Sequence, residues 1–338
     1  MTHRFLVPAV GLIAIASFIP AHAPAQTLIA AETKPGGSAK ASTDSWNKRT
    51  PDGQPDIQGM WSGATITPFE RPVALGNKAY LTEQEAADAE KRAAASRVDR
   101  APRPGDVGNY NDLWIDSGTK VVKSRQTSLV VEPANGRVPL TAAAEAARDY
   151  NHAHESDDYK YMSVWDRCIT RGVPGGMFTA GYNNAYQIIQ TPGQVVLISE
   201  MIHNVRVIPI DGSPHPPANV RMWDGDSRGH WEGNTLVVDT TNFNNKGWIA
   251  TSAATGRVKG VPQTEATHVV ERFTRTDADT LSYEVTIADP VMYSAPWKVA
   301  IPLARDDEYR MYEYACHEGN EAPILVLGGA RAQERQSK

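Results

Sequence analysis

The residues from Tyr186 to Cys316 form a succession of short β-strand patterns, and this stretch constrains the fold more than any other part of the chain. The patterns are rich in Val, Ile, Thr, Tyr and Trp, which favour strands. Short turn sequences separate them, and connections this short favour antiparallel neighbours. The predicted strands are 186–190, 195–210, 219–223, 235–243, 267–275, 280–287, 297–303 and 309–316. We therefore predict a mainly β fold, either an antiparallel up-and-down barrel or a strongly curved sheet.

The segment before these strands predicts a small helical part. Thr82 and Glu85 form a capping box ahead of an alanine-rich helix that reaches about Ser96. A second helix is expected from Thr141 to about His152, after a strand at 127–132. We expect residues 51–160 to supply an N-terminal strand and helices that pack on a barrel formed by residues 161–330.

The first fifty residues are predicted to lie outside the fold. Met1 to Ala25 combines a single Arg, a nearly uninterrupted apolar run from Phe5 to Ile19 and small residues at cleavage spacing, which is typical of a secretory signal peptide. The apolar run is shorter than the roughly 20 residues that span a bilayer. Residues 26–50 are rich in Ala, Lys, Gly, Ser and Thr and predict a disordered tether. The sequence therefore predicts export to the periplasm or beyond, without a membrane span.

Only two cysteines occur, Cys168 and Cys316. An exported chain meets oxidising conditions, so a disulfide between them is the expected state. The alternative is a pair of free or metal-binding thiols. The Cys316-His317 dipeptide is a weak metal signal, and we predict no metal site.

The net charge and the absence of several known motifs limit the classes of partner that we expect. The formal net charge is −5, with no basic cluster, which argues against nucleic acid and anionic lipid. The chain has no Gly-x-Ser-x-Gly, His-Glu-x-x-His, phosphate-loop or Cys-x-x-Cys-His motif, so we expect no organic cofactor. The expected partner is a small-molecule ligand or substrate, and the oligomeric state stays open.

The run from Trp223 to Asn234 holds more aromatic and charged residues than a turn needs. We predict that it connects two strands at the barrel rim and contacts a ligand. Arg228 would then bind a carboxylate in bidentate fashion. The ligand-binding candidates in this run are Trp223, Asp226, Arg228 and Trp231. In the alternative, both Trp residues belong to the core and the Gly and Asn residues only form turns.

Strand alternation assigns the remaining candidates to faces of the sheet. In an unbroken strand 195–210, Glu200 and Arg206 share one face and His203 lies on the other. In strand 267–275, His268 lies opposite Glu271. Ionisable groups that converge inside a barrel have shifted pKa values and can act as acids or bases. The candidate catalytic residues are Glu200, His203, His268, Arg206 and Tyr314, and further ligand-binding candidates are Tyr186, Glu271 and His317.

Several blocks resemble a large family of exported bacterial proteins, most of whose members have no assigned function. The blocks are PDGQPDIQGMW at 51–61, QTPG at 190–193, GDSRGHWEGNTLVVDTTNF at 225–243 and YEYACHEGN at 312–320. The resemblance implies export and a single unit, but it transfers no activity. Separately, the Gly59-x-Trp61 pattern is similar to the first strand of lipocalins, which implies a calycin-like or lipocalin-like barrel.

These features predict a cofactor-independent enzyme that uses acid–base chemistry of the lyase, isomerase or hydrolase type. Its substrate would be a small, partly apolar molecule such as an aromatic or a terpenoid. The first alternative is a non-catalytic, lipocalin-like binder or carrier of a small hydrophobic ligand. The second alternative is an envelope or interaction protein without a small ligand.

Overall fold

A computed structural model describes residues 46–97, 115 and 117–337. The predicted signal peptide and most of the predicted tether lie outside these residues. Ten strands form one antiparallel sheet in the described part of the chain. They are β1 (Gly59–Ser62), β2 (Val130–Glu132), β3 (Ala185–Thr191), β4 (Gln194–Ser199), β5 (Asn204–Pro209), β6 (Asp226–Glu232), β7 (Thr235–Thr241), β8 (His268–Arg275), β9 (Thr280–Ala288) and β10 (Trp297–Arg305).

Nine of these strands form a nearly closed barrel in the order β5-β4-β3-β1-β10-β9-β8-β7-β6, and β2 pairs with β10 outside this path. The predicted mainly β, barrel-like fold is therefore confirmed. The barrel nearly closes where β5 faces β6, and there side chains make the contacts. The Arg206 guanidinium donates to Ser227 Oγ at 3.0 Å. A Cβ on Gly229 would lie 3.0 Å from Ile208 and 2.8 Å from Ile210, so the close approach requires glycine.

Strand alternation determines the core. Every second residue of β8, β9 and β10 is buried, as expected when one face of a sheet packs inward. Large aromatic side chains dominate this inward face and its cover. The most completely buried ones are Trp61, Tyr186, Phe178, Phe243, Phe273, Tyr283 and Trp297. Burial of this much aromatic surface is the main stabilising contribution to the barrel.

Three α-helices accompany the sheet in the described residues: α1 (Glu83–Ser96), α2 (Ala142–Ala153) and α3 (Ala322–Gln336). The capping box of Thr82 and Glu85 and the N-cap of Thr141 form as predicted. Helix α3 was not predicted. None of the helices in the described residues is long and apolar enough to cross a membrane.

The predicted unbroken strand 195–210 is wrong. Strand β4 ends at Ser199, a 3₁₀ turn covers Met201–His203, and β5 begins at Asn204. Ile202 has φ of 62°, a left-handed conformation that turns the chain, and the turn itself contains no Gly or Asn that would predict it. The turn resets the alternation, so the predicted faces of Glu200, His203 and Arg206 do not hold.

Two other strand predictions are also wrong. Residues 219–223 form turns with a single bridge from Met222 to Phe243, and the strand is β6, within the run predicted to be a connection. Residues 309–316 form no strand. The alternation of Tyr312 and Tyr314 there resembles a strand pattern, but the segment runs as irregular chain into the turn before α3.

The fold begins earlier than predicted. Trp46 Nε1 donates to the Asp56 carbonyl oxygen at 2.8 Å, and the guanidinium of Arg275 lies 3.6 Å from the centre of the Trp46 ring. Thr50 is buried. Residues 46–50, predicted as the end of the tether, therefore belong to the folded unit. Strand β1 lies between β3 and β10, so the barrel also includes a strand from before residue 161.

Candidate functional site

The structure distributes the predicted site residues over separate regions. Arg206, Glu271 and Tyr186 lie in the barrel, whereas Asp226, Arg228 and His268 lie on its outer face. Glu200 and His203 lie at the turn between β4 and β5. Tyr314 and His317 lie in the chain before α3. Trp231 packs partly buried against the core, and Trp223 lines a cleft described below.

Arg206 and Glu271 form a buried ion pair between β5 and β8. Nη1 donates to Oε1 at 3.1 Å and Nη2 to Oε2 at 2.6 Å, and the Tyr283 hydroxyl donates to Oε1 at 3.0 Å. Burial lowers the pKa of Arg206, but the charge and hydrogen bonds of Glu271 outweigh burial and raise it. Glu200, which the sequence placed on the same face as Arg206, does not pair with it. Because Glu271 balances the charge of Arg206, we assign this pair a structural role, although Arg206 Nε is buried without an acceptor in the described chain.

A chain of hydrogen bonds crosses the outer face of β6, β7 and β8. His268 Nε2 lies 2.6 Å from Asp239, and His215 lies 3.1 Å from Asp239 and 2.6 Å from Asp226. Arg228 donates to both oxygens of Asp226, at 2.7 and 3.0 Å. The guanidinium predicted to bind a ligand carboxylate is therefore paired within the protein. The hydrogen bond to Asp239 raises the pKa of His268.

Glu200 is buried at the turn between β4 and β5. Its carboxylate accepts hydrogen bonds from the Tyr309 hydroxyl at 2.7 Å and from the Tyr312 amide at 3.3 Å. His203 is exposed, and its Nδ1 lies 2.7 Å from the Tyr314 carbonyl oxygen. The turn therefore binds the chain that precedes α3.

The predicted disulfide between Cys168 and Cys316 is confirmed. A hydrogen bond of 2.9 Å from the Asn320 amide to the Asp166 carbonyl oxygen supports the same junction. The two links attach the chain before α3 to the loop that follows α2. They bring Tyr314 close enough to Arg171 for its phenol to act on the Arg171 charge.

Arg171 is the unusual residue of this region. Only 4% of it is exposed. Its Nε donates to Thr251 Oγ1 at 3.4 Å, but neither Nη1 nor Nη2 has a hydrogen-bond acceptor among the described residues, and no carboxylate there pairs with the guanidinium. A buried charge without a counter-charge is costly, and native proteins avoid it unless a partner is supplied. These two nitrogens without acceptors make Arg171 a candidate residue for binding an anion.

The phenols of three tyrosines act electrostatically on the Arg171 guanidinium: Tyr182, Tyr186 and Tyr314. Burial lowers the pKa of Arg171, and the phenols partly oppose that effect. Burial also raises the pKa of Tyr186 to about 12, so this phenol stays protonated, and its hydroxyl donates to the Gly176 carbonyl oxygen at 3.0 Å. We call Arg171 and the three tyrosines the Arg171 cluster. It carries one positive charge at neutral pH, which suits an anionic group.

Backbone strain concentrates around the Arg171 cluster. Among the described residues, six other than glycine have positive φ, and four of them lie near the cluster. Cys168 (54°) and Asn183 (53°) are close in sequence to Arg171 and Tyr182, and Ile202 (62°) and His203 (42°) form the turn that contacts the Tyr314 carbonyl oxygen. Such a conformation costs on the order of 1–3 kcal/mol per residue and is enriched at functional sites. The left-handed Ile202 is the least expected, because β-branched residues avoid this region.

Sequence reasoning named Tyr186 and Tyr314 but missed Arg171, Tyr182 and Thr251. The available signal was an arginine inside a Gly/Pro-rich loop, three residues after a cysteine expected to be bridged. Within the described chain, no group of three or more His, Cys, Asp or Glu side chains is placed to hold a metal ion.

Comparisons with protein-family models, with curated proteins and with solved structures each found no match to this chain. No activity or site residue is therefore carried over from a relative. The resemblance to an exported bacterial family stays a prediction, and the assignment of function depends on the site geometry alone.

Proposed function

We propose that this protein binds a small organic anion whose acidic group is held by Arg171. One observation carries the proposal: a guanidinium that is 4% exposed has no carboxylate partner and two unused donor nitrogens. A carboxylate or another oxyanion accepts two parallel hydrogen bonds from such a guanidinium. The ligand would supply the counter-charge that the protein itself leaves out.

The tyrosines support a ligand with an apolar body. Tyrosine rings offer apolar faces, and their hydroxyls offer a polar end. In the Arg171 cluster, Tyr182 and Tyr314 are partly exposed, whereas Tyr186 is buried. A small molecule with a ring or hydrocarbon part and one acidic group fits this composition. The predicted signal peptide and the disulfide support action outside the cytoplasm, where disulfides persist.

A second candidate function is acid–base catalysis on the same anion. It is favoured by Glu200, a carboxylate that is 1% exposed, at a turn whose next residues include the left-handed Ile202. A carboxylate held by a tyrosine hydroxyl is a suitable general base or acid when a substrate proton lies within hydrogen-bond reach. In this proposal Arg171 orients the substrate and Glu200 moves the proton, without an organic cofactor.

The binding proposal is tested with pairs of acids and neutral analogues. Benzoate, cinnamate and phenyl phosphate are compared with benzyl alcohol and cinnamyl alcohol by calorimetry. We expect at least one acid to bind, and Arg171→Met to weaken it about tenfold or more, because a charge-assisted hydrogen bond is lost. Arg228→Met is the matched control, since Arg228 already pairs with Asp226. Equal affinity of the native protein and Arg171→Met for every acid that binds would contradict the proposal, as would binding of none of them.

The catalytic proposal is tested on any acid that binds. Product formation is followed by NMR with the native protein and with Glu200→Gln. We expect Glu200→Gln to bind the acid normally but to convert it at least about a hundredfold more slowly, the usual effect of losing a general base. Unchanged conversion in Glu200→Gln, or no conversion by the native protein, would reject catalysis and leave the binding function.

A further inference from the structure

A cleft of about 470 Å³ is lined by α2 and by three loops, which follow α2, precede β6 and connect β7 to β8. Its volume lies within the range of roughly 300–1,000 Å³ that is usual for small-molecule sites. Aromatic and cationic side chains dominate its lining: Tyr159, Tyr161, Trp223 and Trp248 on one hand, and Lys160, Arg167 and Lys246 on the other. No residue of the Arg171 cluster lines it. The cleft is therefore a second place to look for a ligand.

The charge of the cleft is one-sided. Three of its lining residues are cationic, and none carries a carboxylate. Lys160 has a partner at its edge, because Asp158 lies 3.4 Å from its amine. Arg167 has no ion pair with any described residue, and its only side-chain hydrogen bond is a long one of 3.5 Å to the Ser163 carbonyl oxygen. The cleft therefore favours a ligand with a negative charge.

Arg167 is held in place by aromatic rings. Its guanidinium carbon lies 5.9 Å from the centre of the Tyr159 ring and 5.8 Å from that of Trp223, within the range of cation–π contacts. Arg167 is partly buried, and this burial lowers its pKa, while the charges of Tyr159 and Asp166 oppose that effect. Cys168, the next residue, is tied by the disulfide. A preorganised cation in a partly desolvated setting binds an anion better than a freely moving lysine does.

We infer that this cleft binds an aromatic carboxylate, with its ring against Trp223 and Tyr159 and its acid on Arg167. Trp223 is partly exposed and supplies an aromatic face on which a planar ring packs in an offset or edge-on arrangement, whereas Trp248, which is 4% exposed, forms part of the cleft wall. Arg167 offers two donors in the fork that matches a carboxylate, and Lys246 adds a second positive charge at the rim. The inference is independent of the proposed function, because the two sites share no residue.

The test uses protein that carries Arg171→Met, so that the Arg171 cluster no longer contributes. Binding of 2-naphthoate is measured by calorimetry and ligand-observed NMR, beside neutral 2-naphthylmethanol and non-aromatic glucuronate. We expect naphthoate to bind with one-to-one stoichiometry and more tightly than both analogues. Adding Arg167→Gln should weaken naphthoate about tenfold or more and leave naphthylmethanol unchanged.

Aromatic contact is tested with Tyr159→Leu, which should weaken naphthoate and naphthylmethanol alike. Tyr159 is 61% exposed, so its replacement does not threaten folding. Thermal unfolding of each variant checks this point. The inference is overturned if naphthoate does not bind, if Arg167→Gln leaves its affinity unchanged, or if glucuronate binds more tightly than naphthoate.

Discussion

Arg206 and Arg171 are two of the four buried arginines among the described residues, and they differ in what surrounds them. Arg206 lies in the barrel and donates two hydrogen bonds to Glu271. Arg171 lies beside three phenols and has no carboxylate partner in the described chain. The pKa of Arg206 is raised by its partner, whereas burial lowers the pKa of Arg171. Burial without an ion pair does not by itself identify a functional arginine, because Arg71 and Arg275 are also buried without one and donate instead to oxygens of the chain. Arg171 differs from them because neither of its Nη nitrogens has an acceptor among the described residues.

Loss of the Glu271 charge and loss of the Arg171 charge should have different consequences. Removing Glu271 leaves Arg206 buried and unpaired, which is strongly unfavourable. Removing Arg171 leaves no charge behind. The first change should damage the fold, and the second should damage binding.

The largest effect is expected for Glu271→Gln. This variant should lower the free energy of unfolding by about 3–5 kcal/mol, because Arg206 loses its counter-charge in a buried place. Urea unfolding measures the change. Glu284→Gln is the control, since Glu284 lies on the half-exposed face of β9 and should change stability by less than about 0.5 kcal/mol. A loss below about 1 kcal/mol for Glu271→Gln would contradict the claim that Arg206 depends on Glu271 as its counter-charge.

Removal of the disulfide should have the next largest effect. The double variant Cys168→Ala/Cys316→Ala should lose about 2–4 kcal/mol of stability, because the bond closes a long loop. It should also weaken acid binding at the Arg171 cluster, since Tyr314 loses its covalent attachment and keeps only hydrogen bonds to that region. Calorimetry and urea unfolding separate the two effects. Native affinity in the double variant would show that Tyr314 does not contribute to binding.

The barrel was predictable because its strands follow local rules. Strands β7, β8, β9 and β10 combine β-branched and aromatic residues with short turns, and their predicted limits differ from the observed ones by one or two residues. The capping box of α1 is a local signal as well. The disulfide followed from the compartment and from there being two cysteines.

The Arg171 cluster was not predictable because long-range contacts create it. Arg171 lies in a loop without periodicity, and its burial depends on Thr251 and Tyr314, which are distant in sequence. The turn at Ile202 contains no Gly, Pro or Asn that would indicate it, so the predicted strand alternation was continued through the turn in error. Strand β6 was taken for a connection because of its glycine, which the close approach of Ile208 and Ile210 requires.

A smaller effect is expected on the outer face, where His268 and Asp239 are only partly buried. The raised pKa of His268 means that its stabilising contribution is present below the ordinary pKa of about 6.5 and is lost as pH rises through the raised value. Asp239→Asn should lower the His268 pKa, seen by NMR titration, and change stability by less than about 1 kcal/mol. An unchanged His268 pKa would show that the hydrogen bond is not formed in solution.

The smallest change in stability is expected for Arg171→Met, and its free energy of unfolding tests the central claim most directly. If Arg171 awaits a ligand, the variant should unfold within about 1 kcal/mol of the native protein, or be slightly more stable, because an unpaired buried charge is gone. Urea unfolding without any added anion gives the answer. A loss of about 3–5 kcal/mol, as expected for Glu271→Gln, would show that Arg171 is a structural residue like Arg206.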